Sequence, residues 1–307
     1  MCGITGWIDW KKDLTHYAAL IEGMTETLAP RGPDASGTWT SPHCVLGHRR
    51  LSVIDPANGA QPMVREDGSG TFVIVYNGEI YNAAELRQEL RCRGHRFRTK
   101  CDTEVVLVAY MEWGPASVEK LNGIFAYAVW SSHDERLFMA RDRVGVKPLF
   151  YAECGGMLLF GSEPKAILAH PSFDAEVGPD GLAEVFAVGP ARTPGHGIFR
   201  NMNELKPGHT LQYDRRGLRI STYWKLESRP HTDSVRRTAD IVQGLLEDTV
   251  HRQMVSDVPI GTLLSGGLDS SALTAMAAAY QRERGQGPLL TYSIDYIDND
   301  KHFKAND

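Results

Sequence analysis

The hydrophobic residues follow two different patterns along the chain, and the change falls near residue 225. In the first part, short runs rich in β-branched and aromatic residues are separated by polar turns, which is typical of strands. These runs predict strands over residues 71–76, 125–130, 137–140, 149–151, 157–160 and 210–213. Helical spacing that ends before proline or glycine predicts helices over 17–28, 83–93 and 103–113. Mostly antiparallel strands with a few covering helices indicate an α+β layered domain.

The second part alternates helices with strands. Residues 235–253 form one amphipathic pattern, and a strand (258–264), an alanine-rich helix (272–282) and another strand (289–294) follow. This order suits one βαβ unit and therefore the start of an α/β parallel-sheet domain. The polar stretch between the two patterns predicts a boundary, with one domain over residues 2–226 and a second over 234–307.

Composition and charge narrow the function classes. A formal net charge of −5 gives no reason to expect a nucleic-acid partner, because such binding needs a basic face. The densest apolar runs are far shorter than the ~20 residues of a membrane helix, and no secretory signal precedes them. The five cysteines contain no CxxC pair, and the histidines lack zinc-binding spacing. These features predict a cytoplasmic protein with no membrane partner and no zinc site.

Cys2 is the first residue with distinctive chemistry. If the initiator methionine is removed, Cys2 carries a free α-amine whose reference pKa is about 8, against about 10.4 for lysine. Such an amine can act as the general base for its own thiol, so no histidine partner is needed. The position alone does not separate a nucleophile from an accidental cysteine.

Asn77, Gly78 and Glu79 follow a predicted strand. Asn-Gly is typical of a type I′ hairpin turn, and the dipeptide occurs at two other places in the chain. Here a helix follows instead of a partner strand, and Asn82 with Glu85 resembles a capping box. A strand that ends in Asn-Gly before a helix can offer a side-chain amide and a backbone N–H to an oxyanion, while Glu79 can contact an ammonium group. Turn and site are equal alternatives on these residues alone.

A third group of residues with distinctive chemistry, after Cys2 and residues 77–79, is the sequence LSGGLDSS from residue 264. It lies between a predicted strand and a predicted helix. Its small residues allow backbone N–H groups to approach phosphate oxygens, and the helix N-terminus favours negative charge. The lysine of a Walker A loop is absent, so this would be a different kind of phosphate loop. Asp269 is the natural ligand for a magnesium ion bound to pyrophosphate. A capped strand-to-helix turn without a ligand is the alternative.

A series of short motifs resembles a known family. In the first part of the chain they are CGI from residue 2, RGPD from 31, HRRLSVID from 48, YNGEIYN from 76, DTE from 102, RDRVGVKPL from 141 and SEPK from 162. Their order resembles the glutaminase domain of class II glutamine amidotransferases, which implies an N-terminal-nucleophile hydrolase fold. SDVP from 256 and SGGLDSS from 265 resemble the ATP-pyrophosphatase loop of glutamine-hydrolysing asparagine synthetase. The resemblance covers nearly the whole chain.

The resemblance implies catalytic roles for three residues of the first domain. Cys2 would attack the side-chain amide of glutamine with its own amine as base, form a glutamyl thioester and release ammonia. Asn77 and the N–H of Gly78 would form the oxyanion hole.

The glutamine-binding residues implied by the resemblance are Arg50, Val53, Asn77, Gly78, Glu79 and Asp102. Arg50 would pair with the α-carboxylate through its planar fork, the valine would contribute main chain, and the two acidic residues would hold the α-ammonium. Asp102 can also cap a helix that begins at Thr103. Arg31 and Asp34 match a motif of the family but are interpreted as a structural pair.

In the second domain, the ATP-binding residues implied by the resemblance are Leu264, Ser265, Gly266, Gly267, Asp269, Ser270 and Ile294. The loop would cradle the pyrophosphate with Mg²⁺ at Asp269, while Leu264 and Ile294 would lie against the adenosine. Aspartate would be activated as β-aspartyl-AMP, and ammonia arriving through an internal tunnel would convert it to asparagine. ATP and Mg²⁺ are thus the implied cofactors, and glutamine, aspartate and ATP the small-molecule partners. A homodimer is one option for the assembly, since dimers are usual in the family.

The sequence departs from the family at its end. A synthetase domain should continue for a few hundred residues, so we expect a truncated domain, with glutamine hydrolysis retained and no asparagine made by this chain alone.

Three alternative functions stay open. One is a related amidotransferase that aminates another carboxylate. Another is a class II enzyme of purine or glucosamine-phosphate synthesis, although those lack the 265–270 loop. The third is an inactive fragment that acts as a binding module.

Overall fold

The computed structural model describes residues 1–68, 70–189 and 192–294. The chain divides into two compact units, one over Met1–Glu227 and the other from Ser228 onward. The described residues of the first unit form two six-stranded antiparallel sheets with helices packed on them.

The strands of the first unit are β1 (Gly3–Asp9), β2 (Ala35–Thr40), β3 (Cys44–Arg50), β4 (Met63–Asp67), β5 (Gly70–Ile80), β6 (Gly123–Ser131), β7 (Arg136–Arg141), β8 (Phe150–Cys154), β9 (Met157–Gly161), β10 (Met202–Glu204), β11 (His209–Asp214) and β12 (Gly217–Thr222). Its α-helices are α1 (Ala18–Glu26), α2 (Ala83–Cys92), α3 (Asp102–Trp113), α4 (Ser117–Lys120), α5 (Pro164–Leu168) and α6 (Pro179–Ala183). The strand order is β10-β8-β9-β1-β3-β2 in one sheet and β12-β11-β7-β6-β5-β4 in the other.

Three clusters of buried side chains show that this unit has four layers. One cluster fills the space between the two sheets and includes Ile4 of β1 and Val75 of β5. A second joins α2 and α3 to the outer face of the β5–β6 sheet and includes Tyr76. A third joins α1 and α5 to the outer face of the β1–β3 sheet through residues such as Trp7. The arrangement helix–sheet–sheet–helix confirms the predicted α+β layered domain, with antiparallel sheets and covering helices.

Alternation along β5 decides which of its side chains face the other sheet. Val73 and Val75 belong to the cluster between the sheets, whereas Tyr76 belongs to the cluster under α3. Because side chains alternate along a strand, Asn77 and Glu79 lie on the same face as the two valines. The two polar residues therefore occupy the open end of the space between the sheets.

The strand β5 is longer than the sequence predicted. It continues through Asn77 and Gly78 to Ile80, and Gly78 pairs with Phe125 of β6. The expected strand end at Asn77 and Gly78 is therefore wrong, and so is the turn, which was one of the two alternatives for these residues. A glycine is needed here because the backbone of β6 lies very close. A Cβ at this position would meet the backbone of Ile124 and lie 2.8 Å from the Cα of Phe125.

The capping box expected at Asn82 is also wrong. Asn82 does precede α2, but its side chain makes no hydrogen bond to the first turn of the helix. Its Nδ2 donates to the Lys120 carbonyl at 2.9 Å, and its Oδ1 accepts from the Asn122 N–H at 2.9 Å. The side-chain amide therefore joins α2 to the loop before β6, because this loop offers both a donor and an acceptor.

The second unit begins with the predicted amphipathic helix α7 (Val235–Gln253), followed by β13 (Gly261–Leu263), α8 (Leu268–Glu283) and β14 (Leu290–Tyr292). The two strands pair in parallel, which confirms the βαβ unit. Both strands are shorter than predicted, so Leu264 and Ile294 lie just outside them. Among the described residues of this unit, only Val250 and Ala277 are buried. The part of the second predicted domain beyond residue 294 lies outside the described residues.

No helix within the described ranges combines the length and the apolar character needed to cross a membrane. All five cysteines are free.

Candidate active site

Cys2 lies immediately before β1, at the open end of the space between the two sheets. Its Sγ is 3.4 Å from the backbone nitrogen of Leu51, which donates to it. Burial raises the pKa of the thiol, whereas the backbone hydrogen bond at Leu51 and the charge of Arg50 act in the opposite direction. Met1 precedes the cysteine, and burial lowers the pKa of its α-amine. This shift is towards the neutral form of the Met1 amine.

Arg31 holds the backbone of the cysteine from the other side. Its Nε donates to the Cys2 carbonyl at 2.8 Å, and its Nη1 pairs with Glu163 at 2.9 Å. Asp34 accepts a hydrogen bond from the Ser52 N–H at 2.7 Å. The expectation that Arg31 and Asp34 pair with each other is therefore wrong: the arginine fixes the residue before β1, and the aspartate fixes the segment after β3.

Arg50, the last residue of β3, is 7% exposed. Its Nη1 donates to the Pro56 carbonyl at 2.8 Å, and its Nη2 donates to the carbonyls of Ile54 and Asp55 at 3.0 and 2.9 Å. Three carbonyl acceptors fix the plane of the guanidinium, which is the condition for presenting it to a carboxylate. Val53 lies in the same segment and lines the same cavity.

Asn77 and Gly78 present two hydrogen-bond donors side by side. The residue Asn77 is 1% exposed, and its Nδ2 has no hydrogen-bond partner within the described part of the chain. The N–H groups of Tyr76 and Ile80 bond to side chains at the edge of β5 that β4 does not cover. Since alternate N–H groups of a strand point to the same edge, the N–H of Gly78 lies between them on that edge. A buried unpaired amide beside such an N–H suits a developing oxyanion.

Two carboxylates lie near these donors. Burial raises the pKa of Glu79, and the nearby charge of Lys147 lowers it in part. Asp102 is 7% exposed, and its Oδ2 accepts hydrogen bonds from the Tyr76 hydroxyl at 2.7 Å and the Ile80 N–H at 3.1 Å. Burial raises the pKa of Asp102, and these hydrogen bonds limit the rise. Two carboxylates in one pocket are an arrangement that suits a cation.

Asp102 is not the cap of α3. The helix begins at Asp102 itself, with Cys101 in the N-cap position. The side chain of Asp102 bonds to the Tyr76 hydroxyl and the Ile80 N–H of β5, and the backbone at Asp102 and Thr103 adds further hydrogen bonds that lower its pKa.

All glutamine-binding and catalytic residues implied by the resemblance line one cavity of about 130 Å³. They are Cys2, Arg50, Val53, Asn77, Gly78, Glu79 and Asp102. The structure thus brings together residues from the chain start, the end of β3 and the segment after it, the C-terminal end of β5 and the start of α3.

Lys147 is a residue of this cavity to which the sequence analysis gave no role. It is 8% exposed and lines the cavity, and no carboxylate among the described residues forms an ion pair with it. Burial lowers the pKa of Lys147, while the charges of Glu79 and Cys2 raise it. Its place in the motif RDRVGVKPL was the available signal, since its neighbour Val146 is exposed and gives no sign that the lysine is buried.

The loop between β13 and α8 forms a self-bonded turn in the second unit. The Ser265 hydroxyl lies 3.0 Å from that of Ser270, which donates to the Gly267 carbonyl at 3.1 Å. Gly266 has φ +79°, which only glycine adopts without strain. No side chain caps the first turn of α8, so its N–H groups are available to an anion. Asp269 lies in that first turn.

The ends of the two strands flank this loop. The Leu264 N–H donates to the Tyr292 carbonyl at 2.9 Å, and Ile294 is 78% exposed. Within the described residues, no group of three or more histidine, cysteine, aspartate or glutamate side chains could hold a metal ion. A divalent cation at Asp269 would need further oxygen ligands, such as those of a phosphate.

Comparisons with known proteins agree with this geometry. The family described as "Glutamine amidotransferase domain" matches residues 1–224, and the family described as "Asparagine synthase" matches residues 242–307. The chain is 53% identical over 306 residues to "Asparagine synthetase [glutamine-hydrolyzing] 3" of Bacillus subtilis, covering 100% of this chain and 50% of that protein. It is 33% identical over 289 residues to "Asparagine synthetase B [glutamine-hydrolyzing]" of Escherichia coli, covering 92% of this chain and 46% of that protein. The chain therefore spans about half the length of these curated relatives.

A solved structure of glutamine phosphoribosylpyrophosphate amidotransferase from B. subtilis shares the fold. Its TM-score is 0.52 at 17% identity, and the match covers 99% of this chain and 69% of that one. At this identity the likeness supports the N-terminal-nucleophile fold of the layered unit and nothing finer. Because the glutamine amidotransferase model matches most of the sequence, and the site has the geometry described above, the chain belongs to the glutamine amidotransferase domain family.

Proposed function

We propose that residues 2–226 form a glutaminase domain that hydrolyses glutamine at Cys2. The observation that carries the proposal is the buried amide of Asn77, which has no partner among the described residues and lines the same cavity as the thiol. An unpaired buried donor costs stability, and an oxyanion formed during the reaction would supply its acceptor.

Removal of Met1 would place the α-amine on Cys2, where it takes the thiol proton. The thiolate then attacks the amide carbon of glutamine, and the new oxyanion accepts hydrogen bonds from Asn77 Nδ2 and the Gly78 N–H. The protonated amine returns its proton to the leaving nitrogen, which departs as ammonia. A water molecule hydrolyses the thioester, so that glutamate leaves and the thiol is restored.

The rest of the cavity would bind the amino-acid end of glutamine. Arg50 would receive the α-carboxylate, with Val53 supplying main chain beside it. Glu79 and Asp102 would hold the α-ammonium. Because these groups act before and during the reaction alike, they contribute mainly to binding.

We further propose that residues 234–307 contribute the first part of an ATP-pyrophosphatase domain for glutamine-dependent asparagine synthesis. The backbone N–H groups at the start of α8 and the glycines before it fit a pyrophosphate, with Asp269 placed to reach Mg²⁺ through it. ATP bound there would activate aspartate as β-aspartyl-AMP for attack by ammonia. We expect Ser265, Gly266, Gly267 and Ser270 at the phosphates, and Leu264 and Ile294 at the adenosine.

A cytoplasmic homodimer is the setting that we propose for this activity. A related amidotransferase that aminates another carboxylate is the alternative that the described residues leave open.

Two measurements on the 307-residue chain test the function. We expect glutamate release from glutamine and stoichiometric labelling of Cys2 by a glutamine-analogue diazo ketone. Cys2→Ala should abolish both while it leaves the circular dichroism spectrum unchanged. A folded wild-type chain that releases no glutamate and takes no label would contradict the proposal and favour a binding module.

The division between the two half-reactions has its own test. With glutamine, aspartate, ATP and Mg²⁺ present, we expect glutamate to form without asparagine. Robust ATP-dependent asparagine formation by this chain would show that the described groups suffice for the synthetase step, contrary to our proposal.

A further inference from the structure

Tyr76 is tied to three neighbouring segments at the edge of the cavity. Its hydroxyl donates to Asp102 Oδ2 at 2.7 Å, its N–H donates to Gln61 Oε1 at 2.7 Å, and its carbonyl lies 3.0 Å from His48 Nε2. Gln61 Nε2 in turn donates to the Thr103 hydroxyl at 3.3 Å. These bonds close a ring between β5, the segment after β3 and the start of α3, and Asp102 is a member of that ring.

The tyrosine reaches the carboxylate from the face of β5 opposite to Asn77. Tyr76 is 2% exposed and packs in the cluster under α3, whereas Asn77 lies on the face toward the other sheet. The hydroxyl therefore touches Asp102 without lying between the thiol and the oxyanion donors. Both the hydroxyl and the Ile80 N–H bond to Oδ2, so two groups of β5 fix the same carboxylate oxygen.

In the bond between Tyr76 and Asp102, the tyrosine hydroxyl is the donor and the carboxylate is the acceptor. Burial and the charge of Asp102 raise the pKa of Tyr76 well above its usual value, so the hydroxyl keeps its proton. Burial raises the pKa of Asp102, and the Tyr76 hydroxyl opposes that rise because it stabilises the ionised form. Removal of the hydroxyl would let the buried carboxylate take up a proton at a higher pH.

We propose that Tyr76 is a positioning residue that holds the Asp102 carboxylate in place and ionised for the α-ammonium of the substrate. The inference rests on the proposed glutaminase function. The hydroxyl bonds to a proposed binding group and to neither the thiol nor the oxyanion donors, and the charge of Asp102 is the smallest cause acting on the Cys2 pKa. We therefore expect its main effect on substrate affinity and a small effect on the chemical step.

Tyr76→Phe on the 307-residue chain is the test, with glutamate release measured over a range of pH. We expect KM for glutamine to rise about tenfold at neutral pH, as for a lost hydrogen bond to a charged group, with kcat within about twofold of wild type. The increase of KM on acidification should also move to higher pH than in the wild type. A merely structural role would not produce this shift.

Tyr213→Phe is the matched control. Tyr213 is also 2% exposed, and its hydroxyl donates to a backbone carbonyl, that of Gly156, at 3.0 Å in another part of the unit. We expect KM and its pH dependence to match the wild type in this variant. A second comparison uses Asp102→Asn, in which the added Tyr76→Phe change should raise KM by less than about twofold because its partner has lost its charge.

The outcomes separate this inference from the function on which it rests. A wild-type chain that releases no glutamate overturns the glutaminase proposal and the role of Tyr76 with it. If the wild type is active, three results would overturn the role of Tyr76 but not the glutaminase proposal. They are a Tyr76→Phe variant with unchanged KM, one with lower kcat and unchanged KM, and a full effect of Tyr76→Phe in the Asp102→Asn background. If Tyr76→Phe does not fold, 3-fluorotyrosine in place of Tyr76 supplies a stronger donor of nearly the same shape. It should move the acid increase of KM to lower pH, and no movement would overturn the inference.

Discussion

The Cys2 carbonyl accepts a hydrogen bond from Arg31 Nε at 2.8 Å, and the same guanidinium pairs with Glu163 at 2.9 Å. The side chain of Arg31 is 9% exposed, so the contact is shielded from water. Arg31 does not line the cavity that contains the thiol. It therefore acts on the backbone of the nucleophile from outside the proposed glutamine site.

The first prediction concerns this contact. Arg31→Met should lower kcat for glutamine hydrolysis by about 10- to 100-fold, because a small displacement of a nucleophile is costly, while KM changes by less than about threefold. Arg49→Met is a matched control. Arg49 also donates through Nε to a backbone carbonyl, that of Gly32 at 2.9 Å, and pairs with a glutamate, Glu26, at 3.1 Å. Equal kinetic losses in the two variants would contradict a specific role for Arg31.

The second prediction concerns the oxyanion donors. Asn77→Ala should lower kcat by about 10²–10³, the range found when one oxyanion donor is removed, with little change in KM. The thiol should still react with iodoacetamide at the wild-type rate, because the nucleophile itself is unchanged. Asn82→Ala removes an asparagine with structural hydrogen bonds and should keep the wild-type kcat. A kcat near the wild-type value in Asn77→Ala would exclude the amide from the reaction.

The third prediction concerns the guanidinium of Arg50. Arg50→Lys retains the charge but loses the planar group that bonds to the carbonyls of Ile54, Asp55 and Pro56. We expect KM for glutamine to rise at least about tenfold, with kcat reduced much less. Arg49→Lys, one position earlier in β3, should leave KM within about twofold. If both lysine variants bind glutamine as the wild type does, Arg50 is not the carboxylate partner.

The fourth prediction is a pH dependence. Burial raises the pKa of both Glu79 and Asp102, so they take up protons at higher pH than carboxylates with reference values of about 4. The glutamine ammonium keeps its charge throughout this range, so KM should rise as pH falls from 8 to 5. Glu79→Gln should raise KM at pH 8 and make the further rise on acidification shallower. A KM that is constant across this range would argue against carboxylate binding of the ammonium.

The fifth prediction concerns Met1. Mass analysis of the active protein should show that Met1 is absent and that Cys2 is the first residue. Chain produced with Met1 retained should bind the glutamine analogue weakly and release little or no glutamate, because the amine that acts as base is then on the wrong residue. Full activity with Met1 present would rule out the amine of Cys2 as the base.

The sequence predicted the elements whose pattern is local. Hydrophobic periodicity, together with glycine, proline and polar residues at the ends of elements, predicted four of them from a few residues each. They are the middle part of β5, the β6–β7 hairpin, α3 and α7. The resemblance of the motifs to a known family also identified every cavity residue to which we assign catalysis or binding, because each of them stands within a matching motif. The βαβ unit followed in the same way from the order of its patterns.

Only the tertiary structure decided which partners these residues have. Arg31 pairs with Glu163, Asp102 bonds to Tyr76 and Ile80 of β5, and β5 continues through Asn77 and Gly78 because β6 lies beside it. It also decided that Lys147 is buried in the cavity. Each of these contacts joins segments that are far apart in the chain. Their energies depend on the packing of sheets and helices, which periodicity along a single segment does not encode.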